Sequence, residues 1–156
     1  MSKLKVGKPA PNFTLTTDAD EPLELASLRG KPVVLFFYPK DDTPGCTVEA
    51  CSFRDALPRF GKLDAVVLGI SPDTPRKHRN FKKKFDLPYT LLSDTDHKLA
   101  EAWGLWVEKT FWGRKYWGVA RTTFIIDAQG RVARIFEDVK PEDHAAEVAE
   151  AVAALD

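Results

Sequence analysis

Cys46 and Cys51 are the only thiols in the 156-residue chain, and they stand five residues apart immediately after the turn Thr43-Pro44-Gly45. Upstream, Val33-Val34-Leu35-Phe36-Phe37-Tyr38 is an unbroken apolar run that ends at Pro39, the pattern of a strand buried on both faces. The turn then delivers Cys46 to the first turn of a helix. There, unpaired backbone N–H groups and the positive end of the helix dipole favour thiolate over thiol. Cys46 therefore reads as a nucleophile, with a buried structural cysteine as the alternative. Thr43 lies three residues ahead of it across a tight turn, a spacing that can bring its hydroxyl beside the sulfur. Taken alone, a threonine there is also a turn former or a cap.

The spacing of the thiols constrains their chemistry. Cys46, Ala50, Phe53 and Leu57 form a stripe at helical spacing, which puts Cys46 on the inward face. Cys51 is rotated from it by about 140°, and residues five apart in an ideal helix have Cα atoms ~8.6 Å apart, beyond the range a disulfide tolerates. A bond between the two thiols would require the first turns to unwind. Such a bond is a poor structural bridge and suits a redox cycle. Four residues intervene, so this is not the C-x-x-C of dithiol oxidoreductases. His78, His97 and His144 are remote in sequence and complete no zinc spacing with the cysteines.

The surrounding elements must position this stretch. Asn12–Thr16 and Pro22–Leu25 predict a small hairpin across Asp18-Ala19-Asp20. Asp64–Ile70 predicts a second buried strand. The next segment, capped by Asp73 or Thr74, predicts a helix with His78, Phe81 and Phe85 on one face and basic residues around the rest; those basic residues are either a solvated face or a dock for an acidic partner. Tyr89–Leu92 reads as a short strand and Asp96–Trp103 as a short helix. Leu105–Gly118 carries Trp106, Trp112 and Trp117 about a Gly113-Arg114-Lys115 turn, and predicts a hairpin or ordered loop packing its aromatics over the domain, or a lid over the reactive site. Arg121–Asp127 and Arg131–Phe136 flank Ala128-Gln129-Gly130 as an antiparallel hairpin. A final helix is expected from Pro141, with Glu142 and Asp143 in its first turn and Ala145, Val148, Val152 and Leu155 inward.

This order predicts one α/β domain over residues 1–156 with a mixed sheet, and neither repeat nor linker interrupts it. Lys and Arg number 23 and so do Asp and Glu, so no global basic field argues for nucleic acid or an acidic membrane. The N-terminal residues lack the apolar core of a signal peptide, and no run approaches the ~20 apolar residues of a membrane span. The expectation is a soluble cytoplasmic protein, in which a permanent disulfide is disfavoured.

The run from Phe37 to Asp55, containing Pro39, Thr43, Cys46 and Cys51, resembles the bacterioferritin comigratory protein, or Q-type, branch of the peroxiredoxins. The likeness extends through Leu68-Gly69-Ile70-Ser71, Leu91-Leu92-Ser93-Asp94 and Arg121–Asp127, and so covers nearly the whole chain. The resemblance implies a three-layer thioredoxin-like fold with a central mixed sheet flanked by helices and an N-terminal β-hairpin extension. It also implies a thiol peroxidase reducing hydrogen peroxide and organic hydroperoxides. Cys46 matches the peroxidatic cysteine, Cys51 the resolving cysteine, Thr43 the active-site threonine, Pro39 the shielding proline and Arg121 the distant active-site arginine. Without the resemblance, Arg121 reads as a strand-edge charge or salt-bridge partner and Glu49 as an exposed helix residue; in the family a carboxylate or amide at the Glu49 position can orient the arginine. The resemblance further implies recycling by thioredoxin or a similar dithiol, no cofactor or metal, and a monomer. Two rivals share the same residues: a thiol-disulfide oxidoreductase, and a redox-sensing or chaperone-like module in which helix opening changes partner binding.

Overall fold

The computed structural model describes residues 2–155. Its centre is a seven-stranded mixed sheet in the order β2-β1-β5-β4-β3-β8-β9. β3 (Val33–Phe37) lies parallel to β4 (Val66–Ser71) on one side and antiparallel to β8 (Thr122–Ile126) on the other. All five residues of β3 are buried, as its continuous apolar run requires. Val34, Phe36 and Tyr38 point into one core with α1 (Pro44–Lys62), α2 (Pro75–Phe85) and α4 (His144–Ala153). Val33, Leu35 and Phe37 point into a second core under the N-terminal segment, a short 3-10 helix at Leu25–Leu28, and α3 (Lys98–Ala102). The period-two alternation of one strand thus supplies both layers.

Several boundaries and roles differ from the sequence expectation. The N-terminal hairpin, β1 (Thr14–Thr17) and β2 (Pro22–Glu24), joins the main sheet as its edge, because β1 pairs antiparallel with β5 (Thr90–Ser93). The capping choice at α2 falls to Thr74, whose hydroxyl accepts from Lys77 N–H. α4 starts at His144, not at Pro141, because Asp143 takes a left-handed backbone (φ 58°) as its N-cap. β8 and β9 (Val132–Phe136) form the expected antiparallel hairpin.

The tryptophan-rich segment is a separate two-stranded ribbon, β6 (Trp106–Phe111) and β7 (Arg114–Val119). Apart from Trp106 at its base, its aromatics do not pack over the domain. Phe111, Trp112, Tyr116 and Trp117 are exposed, Trp112 at 89%. Only its base is tied in: Val119 is buried, and the Trp106 ring stacks on His97 at 3.9 Å. Left-handed Trp112 and Gly113 (φ 52° and 76°) make a tight two-residue turn, which fixes the ribbon by its own ladder and not by burial.

Candidate active site

Thr43 is the N-cap residue of α1 and Pro44 occupies its first position, where a missing N–H costs nothing. Thr43 does not cap the helix with its side chain; its hydroxyl donates to the Lys40 carbonyl at 2.9 Å. The N–H groups of Gly45 and Cys46 therefore meet no side-chain cap, and the lone pairs of the Thr43 hydroxyl remain available to accept a hydrogen bond. Cys46 is 2% exposed and packs against the core with Ala50 and Phe53, on the inward stripe that the sequence spacing predicts.

Arg121 comes to this point through the sheet. Phe37, the last residue of β3, pairs with Thr122, the first of β8, so the residue before Thr122 sits beside the strand end from which the Pro39–Thr43 loop departs. Its guanidinium divides between two partners on α1: Nη2 lies 3.3 Å from Cys46 Sγ and Nη1 donates to Glu49 Oε1 at 2.8 Å. Glu49 is fully buried, not the exposed helix residue that its position alone suggests. Burial pushes its carboxyl up to about 7, and the Arg121 charge and hydrogen bond oppose that rise without cancelling it. Burial works against the charge of Arg121, yet Cys46 and Glu49 together hold its pKa above the ordinary arginine value. One carboxylate oxygen, Oε2 of Glu49, is buried with no protein partner.

The structure brings together Cys46, Glu49 and Arg121, with Thr43 at the helix start and half-buried Pro39 at the base of the loop. It keeps Cys51 apart. Cys51 is half-buried, both thiols are free, and α1 runs unbroken through both positions. Cys51 opens instead onto a shallow groove of about 780 Å³ between α1 and residues 142–146.

Two features of the site are silent in the local sequence. Gly45 looks like an ordinary turn former, but a Cβ there would lie 3.2 Å from Arg121 Nη2. Its lack of a side chain lets the guanidinium reach the sulfur. The second is a buried network that anchors the loop from behind. Tyr38 OH donates to Asp41 Oδ1, His78 Nδ1 pairs with Asp41 Oδ2 at 2.7 Å, and Asp41 N–H donates to Asp73 Oδ2 at 2.8 Å. Ser71 also donates to Asp73, and His78 Nε2 faces the Leu92 carbonyl at 3.0 Å. Asp41, Asp73 and His78 have ligand atoms close enough to hold a metal ion, but those atoms already bond one another or their neighbours.

A cysteine at a helix N-terminus with an arginine donating to its sulfur, at the end of the central strand of a mixed α/β sheet, fits a thiol peroxidase of thioredoxin-like fold. The chain matches the AhpC/TSA family over residues 6–135 and belongs to it. It is 52% identical over 145 residues to a putative peroxiredoxin Bcp of Coxiella burnetii, covering 93% of this chain and 96% of that protein. It is 49% identical over 144 residues to peroxiredoxin Bcp of Bacillus subtilis, covering 92% of each. Among solved structures, a PrxQ cysteine-to-serine mutant of Xylella fastidiosa superposes with a TM-score of 0.93 at 32% identity, over 99% of this chain and 98% of that one. The bacterioferritin comigratory protein of Xanthomonas campestris, studied for alkyl peroxide reduction, superposes at 0.88 and 34% identity over 99% and 98%. The chain is a peroxiredoxin, an oxidoreductase that uses a peroxidatic cysteine.

Proposed function

We propose that Cys46 is the peroxidatic thiol of a single catalytic domain, that Cys51 resolves it, and that hydrogen peroxide and organic hydroperoxides are the substrates. The observation that carries this reading is the Arg121 guanidinium held between Cys46 Sγ and Glu49. The Cys46 thiolate attacks the terminal oxygen of a hydroperoxide in line with the O–O bond. A sulfur lone pair forms the S–O bond, the O–O bond breaks, and its electron pair leaves on the distal oxygen, which takes up a proton to become water or an alcohol. Sulfur is oxidised by two electrons to a sulfenic acid. Arg121 and the open N–H groups of the helix face the charge that develops on the oxygens. Thr43, whose own proton is directed to Lys40, accepts the O–H of the oxygen under attack. Glu49 fixes the guanidinium, and Pro39 shields the site at the loop base.

The Cys51 thiolate then attacks the sulfenic sulfur. An S–S bond forms and the hydroxyl leaves as water. Because α1 is continuous from Pro44 to Lys62, this step requires its first turns to open. An external dithiol of the thioredoxin type returns both thiols by two exchange steps, meeting Cys51 from its groove. An intramolecular resolving thiol removes the chemical need for a second subunit, so the proposed unit is a monomer. No described helix is long and apolar enough to cross a membrane, and the proposed compartment is the cytoplasm.

Peroxide consumption coupled to thioredoxin and its reductase tests the assignment. Cys46→Ser should abolish turnover, and retained turnover would sink the reading. Cys51→Ser should consume about one equivalent of peroxide and then stop cycling with thioredoxin; normal cycling would remove the resolving role while leaving the peroxidase in place. Efficient reduction of protein disulfides with little peroxide consumption would favour the oxidoreductase rival.

A further inference from the structure

Of the large apolar side chains left exposed among the described residues, all but Val6 and Val48 sit on the β6–β7 ribbon: Phe111, Trp112, Tyr116 and Trp117. Lys109, Arg114 and Lys115 stand among them against a single anion, Glu108, so the ribbon is locally basic. Equal totals of acidic and basic residues in the chain exclude a global field but not this local one. A contiguous aromatic surface that a fold leaves open marks a contact with something outside it.

The ladder shows how that surface is arranged. Phe111 pairs with Arg114 and Lys109 with Tyr116, which places these four on one face; Glu108 pairs with Trp117 and Thr110 with Lys115, which places those on the other. Each face therefore carries aromatic and basic side chains together, and Trp112 joins them at the turn. Trp112 holds a left-handed backbone, φ 52°, at a turn position that favours asparagine or glycine and is costly for a bulky residue. Its ring meets Phe111 edge-on at 6.0 Å and is otherwise left to solvent. The fold itself gains little from a tryptophan there.

A groove on a protein covers one face of a ribbon, whereas this one is aromatic and basic on both faces and at its tip. A lipid–water interface surrounds whatever enters it. Tryptophan and tyrosine settle at headgroup level, where the ring is sheltered and the N–H or O–H stays wet, and arginine and lysine meet anionic headgroups. β6 and β7 pair only with each other, so each keeps an open edge of backbone groups that hydrocarbon would not satisfy, which limits entry to headgroup depth. We propose that the tip of the β6–β7 ribbon is a docking element for an anionic phospholipid surface, with Trp112 and Trp117 among the headgroups and Arg114 and Lys115 on their phosphates. β7 runs from this tip through buried Val119 to Arg121, so docking holds the peroxidase site within one ribbon length, ~20 Å, of the bilayer. The docking does not depend on which thiol reacts.

Co-sedimentation of the full chain with vesicles tests it, using phosphatidylcholine alone and an equal mixture of phosphatidylcholine and phosphatidylglycerol at low salt. The wild type should partition onto the mixed vesicles and be released as salt rises. Arg114→Gln with Lys115→Gln should weaken that binding by about fivefold per cation removed. Trp112→Asn with Trp117→Thr should weaken it at least as much, although asparagine suits the turn better than tryptophan does. Both double variants alter exposed side chains remote from Cys46, so hydrogen peroxide turnover should match the wild type and serves as the check that they fold. Absence of wild-type binding to the mixed vesicles, equal binding to both kinds of vesicle, or binding that survives both double variants would each overturn the proposal. So would a concentration-dependent dimer in sedimentation velocity that the tryptophan variant abolishes while vesicles stay unbound, since the occupant would then be a second copy of the chain. Failure of the peroxidase reading is a separate result, turnover that survives Cys46→Ser, and leaves vesicle binding unchanged.

Discussion

Two polar networks are buried around the loop between β3 and α1, and they differ in completeness. Behind the loop, Tyr38, Asp41, Ser71, Asp73 and His78 bond one another, and both nitrogens of His78 have partners. In front of it, Cys46, Glu49 and Arg121 leave a carboxylate oxygen without a partner, carry a carboxyl pushed up to about 7, and place a sulfur opposite a guanidinium. A buried network whose polar groups are all satisfied adds rigidity, whereas an unsatisfied one stores free energy that a ligand or a proton can release. The first network is scaffold for the loop; the second is the one to which the proposed function assigns the reaction.

Substitutions can break or sharpen this contrast. The largest effect is expected in front: Arg121→Met should lower the second-order rate constant for peroxide about 10³-fold, or about 4 kcal/mol. A large loss of stability with activity intact would reverse the roles assigned to the two networks. Behind the loop, His78→Leu strands Asp41 and should cost about 3 kcal/mol of unfolding free energy in urea, while the rate per folded molecule stays within a few-fold of wild type. A rate loss matching that of Arg121→Met would make the rear network catalytic.

The smallest effect is a slope. The folded-state pKa of Glu49 lies above its unfolded value, so the native chain binds more protons between pH 4.5 and about 7. Its contribution to stability is complete below the unfolded value and is lost as pH rises through the folded one. Between pH 5 and 7 this loss amounts to about 2 kcal/mol. Glu49→Gln removes it, so the stability of the variant should fall less over this window than that of wild type. Parallel curves would show that Glu49 does not titrate there.

Much of this site was legible locally. The apolar run of β3, the proline turn and the helical stripe at Cys46, Ala50 and Phe53 each rest on patterns within about ten residues, and the structure retains them. The ribbon is instructive in the other direction. Its turn and tryptophans predicted a hairpin or ordered loop packed over the domain, but the burial of most of its aromatics did not follow, because aromatic composition reports a capacity to pack and not the presence of a surface to pack on. The start of α4 slipped for a related reason: Pro141 suits a first helical turn, but Asp143, two residues later, holds the N-cap position with a left-handed backbone, so the helix starts at His144.

By itself, then, the sequence determined the strand, the turn, the helix whose first turn carries Cys46, and a five-residue spacing that forbids a Cys46–Cys51 bond in an intact helix. Those are consequences of backbone geometry and side-chain period, which act over one or two turns. Only the tertiary structure decided that Arg121, 75 residues from Cys46, would stand beside its sulfur. It also decided that Glu49 would be buried and that Asp41 would find His78. Each of these depends on which strands are neighbours, and the pairing of Phe37 with Thr122 is a non-local choice made by burying two cores against one sheet.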